Sequence, residues 1–246
     1  MHKDILILAK SHKNGGFCVA GVEVNTNGSN QRSLTRRWIR PVCNDGGQTS
    51  GALPSESCRD FSVLDVVRFD LEKHSPMTGQ CENWQWPSSA IRTVSTLPDQ
   101  RVLGHLADRC GDIWHDSATP RDDQVSAQRV LAEHIEHSLM MITPLDLVFS
   151  LERQKTLTGV RKRVYCSFTH NGKTYRRIAV TDPVIFRVFS NQFPATMGTT
   201  IHKRLRHGDG YWLTLSLSPC FGASNYHYIV AATVIDHTGY LNRTYR

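Results

Sequence analysis

The sequence predicts a mainly β protein, with some α+β character, built as two small five-stranded barrels joined by a helical segment. Three observations carry this. Short β-prone runs separated by turn residues fill both outer thirds of the chain. The middle third has helical spacing and concentrates acidic residues. The last third reads as three strands, a short helix and two strands.

A chain of 246 residues, 39% hydrophobic and 21% charged, is long enough to bury a sizeable core and too apolar to stay disordered. Its longest apolar runs, such as ILILA at 5–9, are strand-sized and far short of the roughly 20 residues of a membrane helix. No small-residue cleavage site follows the short apolar run at the N-terminus, which predicts no signal peptide, no membrane association and a cytoplasmic location.

Taken in order, DILILAKS, FCVAGVEV and SLTRRWIRPV are the first strands, parted by NGG at 14–16 and NTNGSN at 25–30. VLDVVRFDLE at 63–72 continues the pattern. NWQW and IRTVSTL supply a last strand or edge, giving about five strands in residues 1–96. The connector, residues 97–137, contains LPDQRVLGHLADRCGDIW and TPRDDQVSAQRVLAEHIEH. In the second, Ala127, Val130, Leu131, His134 and Ile135 share a helical face, with Thr119 as cap and Pro120 at the first helical position.

Residues 138–246 are clearest. MMITPLDLVFSLE leads to RKRVYCSFTH, and an Asn171-Gly172 turn joins this to KTYRRIAVT, a strong hairpin signal. Asp182 and Pro183 open a short helix. GYWLTLSLS alternates so that Leu213, Leu215 and Leu217 point inward, and NYHYIVAATVID closes the unit. This order fits an OB-fold, whose helix lies between its third and fourth strands. The first region repeats it loosely, with the loop at 43–62 in the helix position. A five-stranded SH3-like barrel is the competing architecture.

The formal net charge of +7 is unevenly spread. Residues 1–96 hold 11 Lys and Arg against 9 Asp and Glu (+2), residues 97–137 hold 4 against 8 (−4), and residues 138–246 hold 14 against 5 (+9). The basic C-terminal block suits a polyanion, or a solvated surface kept for solubility.

In the hairpin, a two-residue turn sets 168 opposite 175 and 166 opposite 177. Val164, Cys166, Phe168, Tyr175, Arg177 and Ala179 then face inward. The outer face presents Arg163, Tyr165 and Arg176, and aromatics flanked by cations suit single-stranded nucleic acid. Arg177 beside them joins the candidate set, and Lys203, Arg204 and Arg206 lie before the next strand. In TRRWIRPVCNDGG at 35–47, alternation puts Arg36, Trp38 and Arg40 on one face. Leu34 draws that face toward the core, so Trp38 suits packing as well as binding, and a buried Arg40 requires an anionic partner. CNDGG lacks the Lys-Ser/Thr of a P-loop.

Seven scattered cysteines with no CxxC pair argue against a disulfide framework and a zinc ribbon. His134 and His137 lie three apart without an HExxH motif and fit a solvated helix face. Cys166 alternates with core residues, and Asp60, Asp65 and Asp70 form no acid pair. No metal, no cofactor and no catalytic residue is predicted.

CVAG at 18–21, WIRPV at 38–42, VLDVV at 63–67, ENW at 82–84, VTDPVIF at 180–186, and WLTLSLSPCFG at 212–222 followed by YIVAATVI stand in an order that resembles the bacterial dual OB-containing domain (DuOB) family. The resemblance spans nearly the whole chain. It implies two OB-like barrels, a nucleic-acid-binding role and links to bacterial conflict or anti-phage systems. Arg40, Asn83 and Asp182 are the polar positions that match its pattern.

The expected function is therefore nucleic-acid binding, single-stranded favoured, as a sensing or accessory component alongside a defence-system effector protein. The alternatives are a nuclease or nucleotide-processing enzyme whose site only the fold assembles, and an interaction module for an acidic protein.

Overall fold

The computed structural model describes residues 1–13, 15–26, 32–45, 48–49, 51–97, 100–107, 113–114, 118–135, 137–205, 210–220 and 224–242. The chain is mainly β, and two OB-like rings of strands carry the fold.

In the first ring, β1 (His2–Lys13), β2 (Gly16–Thr26) and β3 (Arg32–Val42) form an antiparallel meander. After β3 come a two-residue ribbon, β4 (Asn44–Asp45) with β5 (Gln48–Thr49), and a 3₁₀ turn at Glu56–Cys58 in place of a helix. Buried Lys10 anchors this loop, its Nζ donating to the carbonyls of Cys58 at 2.6 Å and Phe61 at 2.7 Å. β6 (Asp65–Asp70) pairs with β1, and β7 (Asn83–Gln85) pairs parallel with β3. Residues 72–75, continuing β6, bond to β7 through Glu72 N to Gln85 O and Ser75 N to Asn83 O, both 2.9 Å. That closes the ring, and the parallel third and fifth strands are the OB arrangement. β8 (Arg92–Thr96) adds outside β6, so among the described residues this sheet has six strands where the sequence predicts about five.

The connector departs from expectation. Its first part holds a 3₁₀ helix at Gln100–His105 and no α-helix among the described residues. In its second part, residues 124–126 form β9 (Gln124–Ser126), which pairs with a strand of the second ring. The helix α1 is therefore short (Ala127–Ala132), and Ser126, not Thr119, caps it by accepting from Arg129 N at 3.3 Å. Val130 is buried, but Leu131 is exposed and His134 lies beyond the helix with φ of 50°. Sheet pairing overrode the helical periodicity here.

The second ring contains β10 (Leu139–Ile142), β11 (Leu145–Thr156), β12 (Gly159–His170), β13 (Lys173–Val180), α2 (Pro183–Val188), β14 (Thr200–Lys203), β15 (Tyr211–Leu217) and β16 (Tyr226–Asp236). The strand is interrupted at 143–144, Pro144 included, so β10 and β11 act as one bent strand that pairs at both ends of the ring. β10 pairs with β15, and β11 pairs with β12. With β13 and β16 parallel, the ring closes in OB order. Leu213, Leu215 and Leu217 are fully buried, as their alternation requires. Asp182 caps α2 through Val184 N at 2.8 Å, and its other oxygen accepts from Val234 N at 2.8 Å.

The rings are packed together. Ala9, Ala20, Leu139 and Ala232 form a small buried cluster under Trp38, letting β1 approach β16. His12 N donates to Thr181 O at 3.0 Å, Lys10 N to Thr233 Oγ1 at 3.0 Å, and Thr214 Oγ1 to Leu8 O at 2.7 Å. Backbone polar groups of one ring thus find partners in the other. No helix among the described residues is long and apolar enough to cross a membrane.

Candidate functional site

The Asn171-Gly172 turn has φ of 49° and 78°, as a tight two-residue hairpin turn requires, and Phe168 faces Tyr175 as expected. Beyond that pair the register slips. Cys166 faces Ile178, not Arg177, because Arg177 takes φ of 55° and makes a bulge. Ile178 and Val180 are therefore the buried partners of Val164, Cys166 and Phe168, while Arg177 turns to the outer face. Burial raises the Cys166 thiol pKa, which suits packing rather than nucleophilic chemistry.

On that outer face Arg177 is bidentate on Glu152 (2.5 and 3.2 Å) and lies 4.4 Å over the Tyr165 ring. Gln154 donates to the Tyr165 hydroxyl at 3.0 Å, and Thr200 to Glu152 at 3.2 Å. The hydrogen bonds from Arg177 hold the Glu152 carboxyl below the usual range, against the opposing effect of burial. Arg163 sits opposite Glu152 on the neighbouring strand. Arg176 is exposed, its backbone N–H donating to Asp122 at 2.8 Å. The hairpin thus gathers Arg163, Tyr165 and Arg177, but around a carboxylate that already neutralises part of their charge. Lys203 ends the edge strand β14 opposite Phe149 and exposed Arg204 follows it; Arg206 lies outside the described residues.

In the opening stretch, Arg36 is exposed and donates to His105 O at 3.3 Å, while Trp38 is half-buried. Arg40 is buried. Its guanidinium meets Glu82 at 3.2 Å, Ser138 at 2.8 Å and Ser216 at 3.2 Å. The anionic partner that its burial demands is therefore Glu82, whose carboxylate also accepts from the Ser138 hydroxyl. The three residues do not make one surface: Arg36 faces solvent, Trp38 covers the contact between the rings, and Arg40 crosses it.

A groove of about 590 Å³ runs between the rings. The first ring contributes Ser11, His12 and Lys13 from the end of β1 and buried Arg40; the second contributes Arg161, Thr181 and residues 216–220. No carboxylate lines it among the described residues. Partial desolvation lowers the His12 pKa, and Lys13 and Arg161 add cationic side chains to the groove lining. Neither stands out in the sequence. The runs HK at 12–13 and RKR at 161–163 are visible there, but only the packing of the rings sets them across one groove.

The sequence model of the dual OB-containing domain family matches residues 3–234. The chain belongs to this family. No curated protein and no solved structure shows detectable similarity to it.

This dual OB protein has a second cleft, of about 770 Å³, on another side of the junction. Three tryptophans line it, Trp38, Trp84 and Trp114, together with Arg36, Arg37, His74, Cys81, His134 and His137. Cys81 Sγ and His137 Nδ1 are 3.2 Å apart, and His74 Nε2 bonds to the Cys81 carbonyl. His134 and His137 are exposed, as a solvated position requires, but lie beyond α1 and line this cleft rather than one helical face.

Proposed function

We propose that this protein binds nucleic acid, single-stranded in preference, in the groove between its barrels. The observation that carries the reading is a groove between the rings lined by Lys13 from the first and Arg161 from the second, with buried Arg40 also in its lining and no carboxylate among its described residues. Low-dielectric walls of one charge sign concentrate field and favour a phosphate backbone. Residues 1–96 and 138–246 act as the two walls, and residues 97–137 as the strap between them. The hairpin face, with Tyr165, Arg163, Arg176 and Arg177, extends the binding surface beyond the groove as a stacking platform. A sensing or accessory role in bacterial anti-phage defence, beside an effector protein, is the setting that the family resemblance supports.

The test is fluorescence anisotropy with single- and double-stranded DNA and RNA oligonucleotides at two salt concentrations. The double variant Lys13→Ala with Arg161→Ala should bind more weakly. Its salt slope should flatten by roughly 0.7 for each single-strand phosphate that is no longer neutralised. Arg163→Ala with Arg176→Ala should weaken binding less. Parental affinity and slope in the groove variant, with weakened binding in the hairpin variant, would move the site to the hairpin.

A further inference from the structure

We propose that Cys81, His137 and Glu82 form a binding site for a soft divalent metal ion, Zn²⁺ by preference, which clasps the connector to the first barrel. The site opens on the tryptophan-lined cleft rather than on the groove, and metal binding there needs no nucleic acid.

The donor set carries the inference. A thiol sulfur, an imidazole nitrogen and a carboxylate oxygen, one from each residue, lie within 4.8 Å of one another. Cys81 Sγ and His137 Nδ1 are 3.2 Å apart. Ligand atoms on one tetrahedral Zn²⁺, with Zn–S about 2.3 Å and Zn–N about 2.0 Å, lie roughly 3.5 Å apart, so a small outward shift of either side chain admits the ion. The combination of sulfur, nitrogen and oxygen donors favours Zn²⁺ over Mg²⁺ or Ca²⁺.

The surroundings fit a held site. Glu82 is buried and fixed by Arg40 and the Ser138 hydroxyl, partners of the kind that orient a metal-binding carboxylate. The Cys81 carbonyl accepts from the His74 ring, which packs on Trp84 with ring centres 5.1 Å apart. His137 and Cys81 face the open cleft, which gives the ion an entry path, and His134 lines the same cleft. Fifty-six positions separate Cys81 from His137, which is why no ligand-spacing motif announces the site.

On binding, the Cys81 S–H bond breaks, the sulfur keeps the electron pair as a thiolate ligand, and the proton passes to solvent. His137 binds through the Nδ1 lone pair as neutral imidazole, and no redox change occurs. The ion then joins the segment before β7 to the segment after α1.

The experiment titrates metal-free, reduced full-length protein with Co²⁺ and Zn²⁺. Expected are one ion per chain, a thiolate-to-cobalt charge-transfer band in the near ultraviolet, displacement of that band by Zn²⁺, and a higher melting temperature with Zn²⁺. Cys81→Ser should abolish the band, and Cys81→Ser and His137→Ala should each weaken Zn²⁺ at least tenfold. Cys220→Ser, at an exposed cysteine away from the cleft, should leave both unchanged. Circular dichroism checks that each variant is folded, and His137→Asn replaces His137→Ala if the latter is not. A stoichiometric band that survives Cys81→Ser, or Zn²⁺ affinity equal to the parent in both Cys81→Ser and the folded His137 variant, would overturn the proposal. So would the absence of any band in the parent.

Discussion

Arg40 on β3 and Glu82 before β7 are both buried and lie 3.2 Å apart, while the same guanidinium reaches Ser138 and Ser216 in the second half of the chain. A buried pair of this kind gives little net stability against an apolar replacement, yet breaking it strands a charge. Arg40→Ala should therefore cost about 3–5 kcal/mol in urea unfolding. Glu82→Gln leaves the buried Arg40 guanidinium charged without its anion, so it should cost a similar amount. Equal small losses would show that water reaches the pair.

The Arg177–Glu152 pair predicts a pH effect. Glu152 has its carboxyl pKa lowered by the Arg177 hydrogen bonds in the folded chain. The stability it contributes is complete above the unfolded carboxylate pKa of about 4.3, and is lost as pH falls through the lower folded value. Glu152→Gln should flatten the acid limb of stability against pH in that window and change little at neutral pH relative to pH 5. A limb of unchanged steepness, measured by thermal melts from about pH 6 to pH 3, would assign acid sensitivity to other carboxylates.

Two glycines should respond differently to alanine. At Gly21 an added Cβ would lie 1.9 Å from Leu6 O and 2.7 Å from Leu6 C, both backbone atoms of the neighbouring strand. Gly21→Ala must part β1 from β2 and should yield insoluble protein or lose roughly 3 kcal/mol or more. Gly172 has open space around it but φ of 78°, so Gly172→Ala should cost only about 1–2 kcal/mol. Soluble yield and urea midpoints separate the two.

Tyr165→Ala separates stacking from charge. Its ring is held by Arg177 on one side and Gln154 at its hydroxyl. Removing the ring should weaken single-strand binding by about 1–3 kcal/mol if bases stack there, with the salt slope nearly unchanged. Undiminished affinity in anisotropy titrations would confine the ligand to the groove.

Local chemistry is legible wherever neighbours in sequence decide the outcome. Asn171-Gly172 has one economical turn, Asp182-Pro183 starts a helix, and Leu213, Leu215 and Leu217 must share a face. What the sequence hides depends on distant partners. The bulge at Arg177 follows from how β12 and β13 fit the barrel, and it exchanges Arg177 for Ile178 in the core. Residues 124–126 become strand because β16 offers an edge, which shortens a convincing helix. Arg40 needs an anion, as its sequence setting implies, but nothing near it in the chain could name Glu82. Lys13 and Arg161, like Cys81 and His137, acquire meaning only when the two halves of the chain meet.

The bonds from His12 to Thr181, from Lys10 to Thr233 and from Thr214 to Leu8 have a further consequence. Each half has polar groups whose partners lie in the other half. A chain cut in the connector should therefore stay associated after proteolysis, and two separately expressed fragments should recognise each other as a split protein does. Melting should then be a single transition, and the fragments should regain it only when mixed.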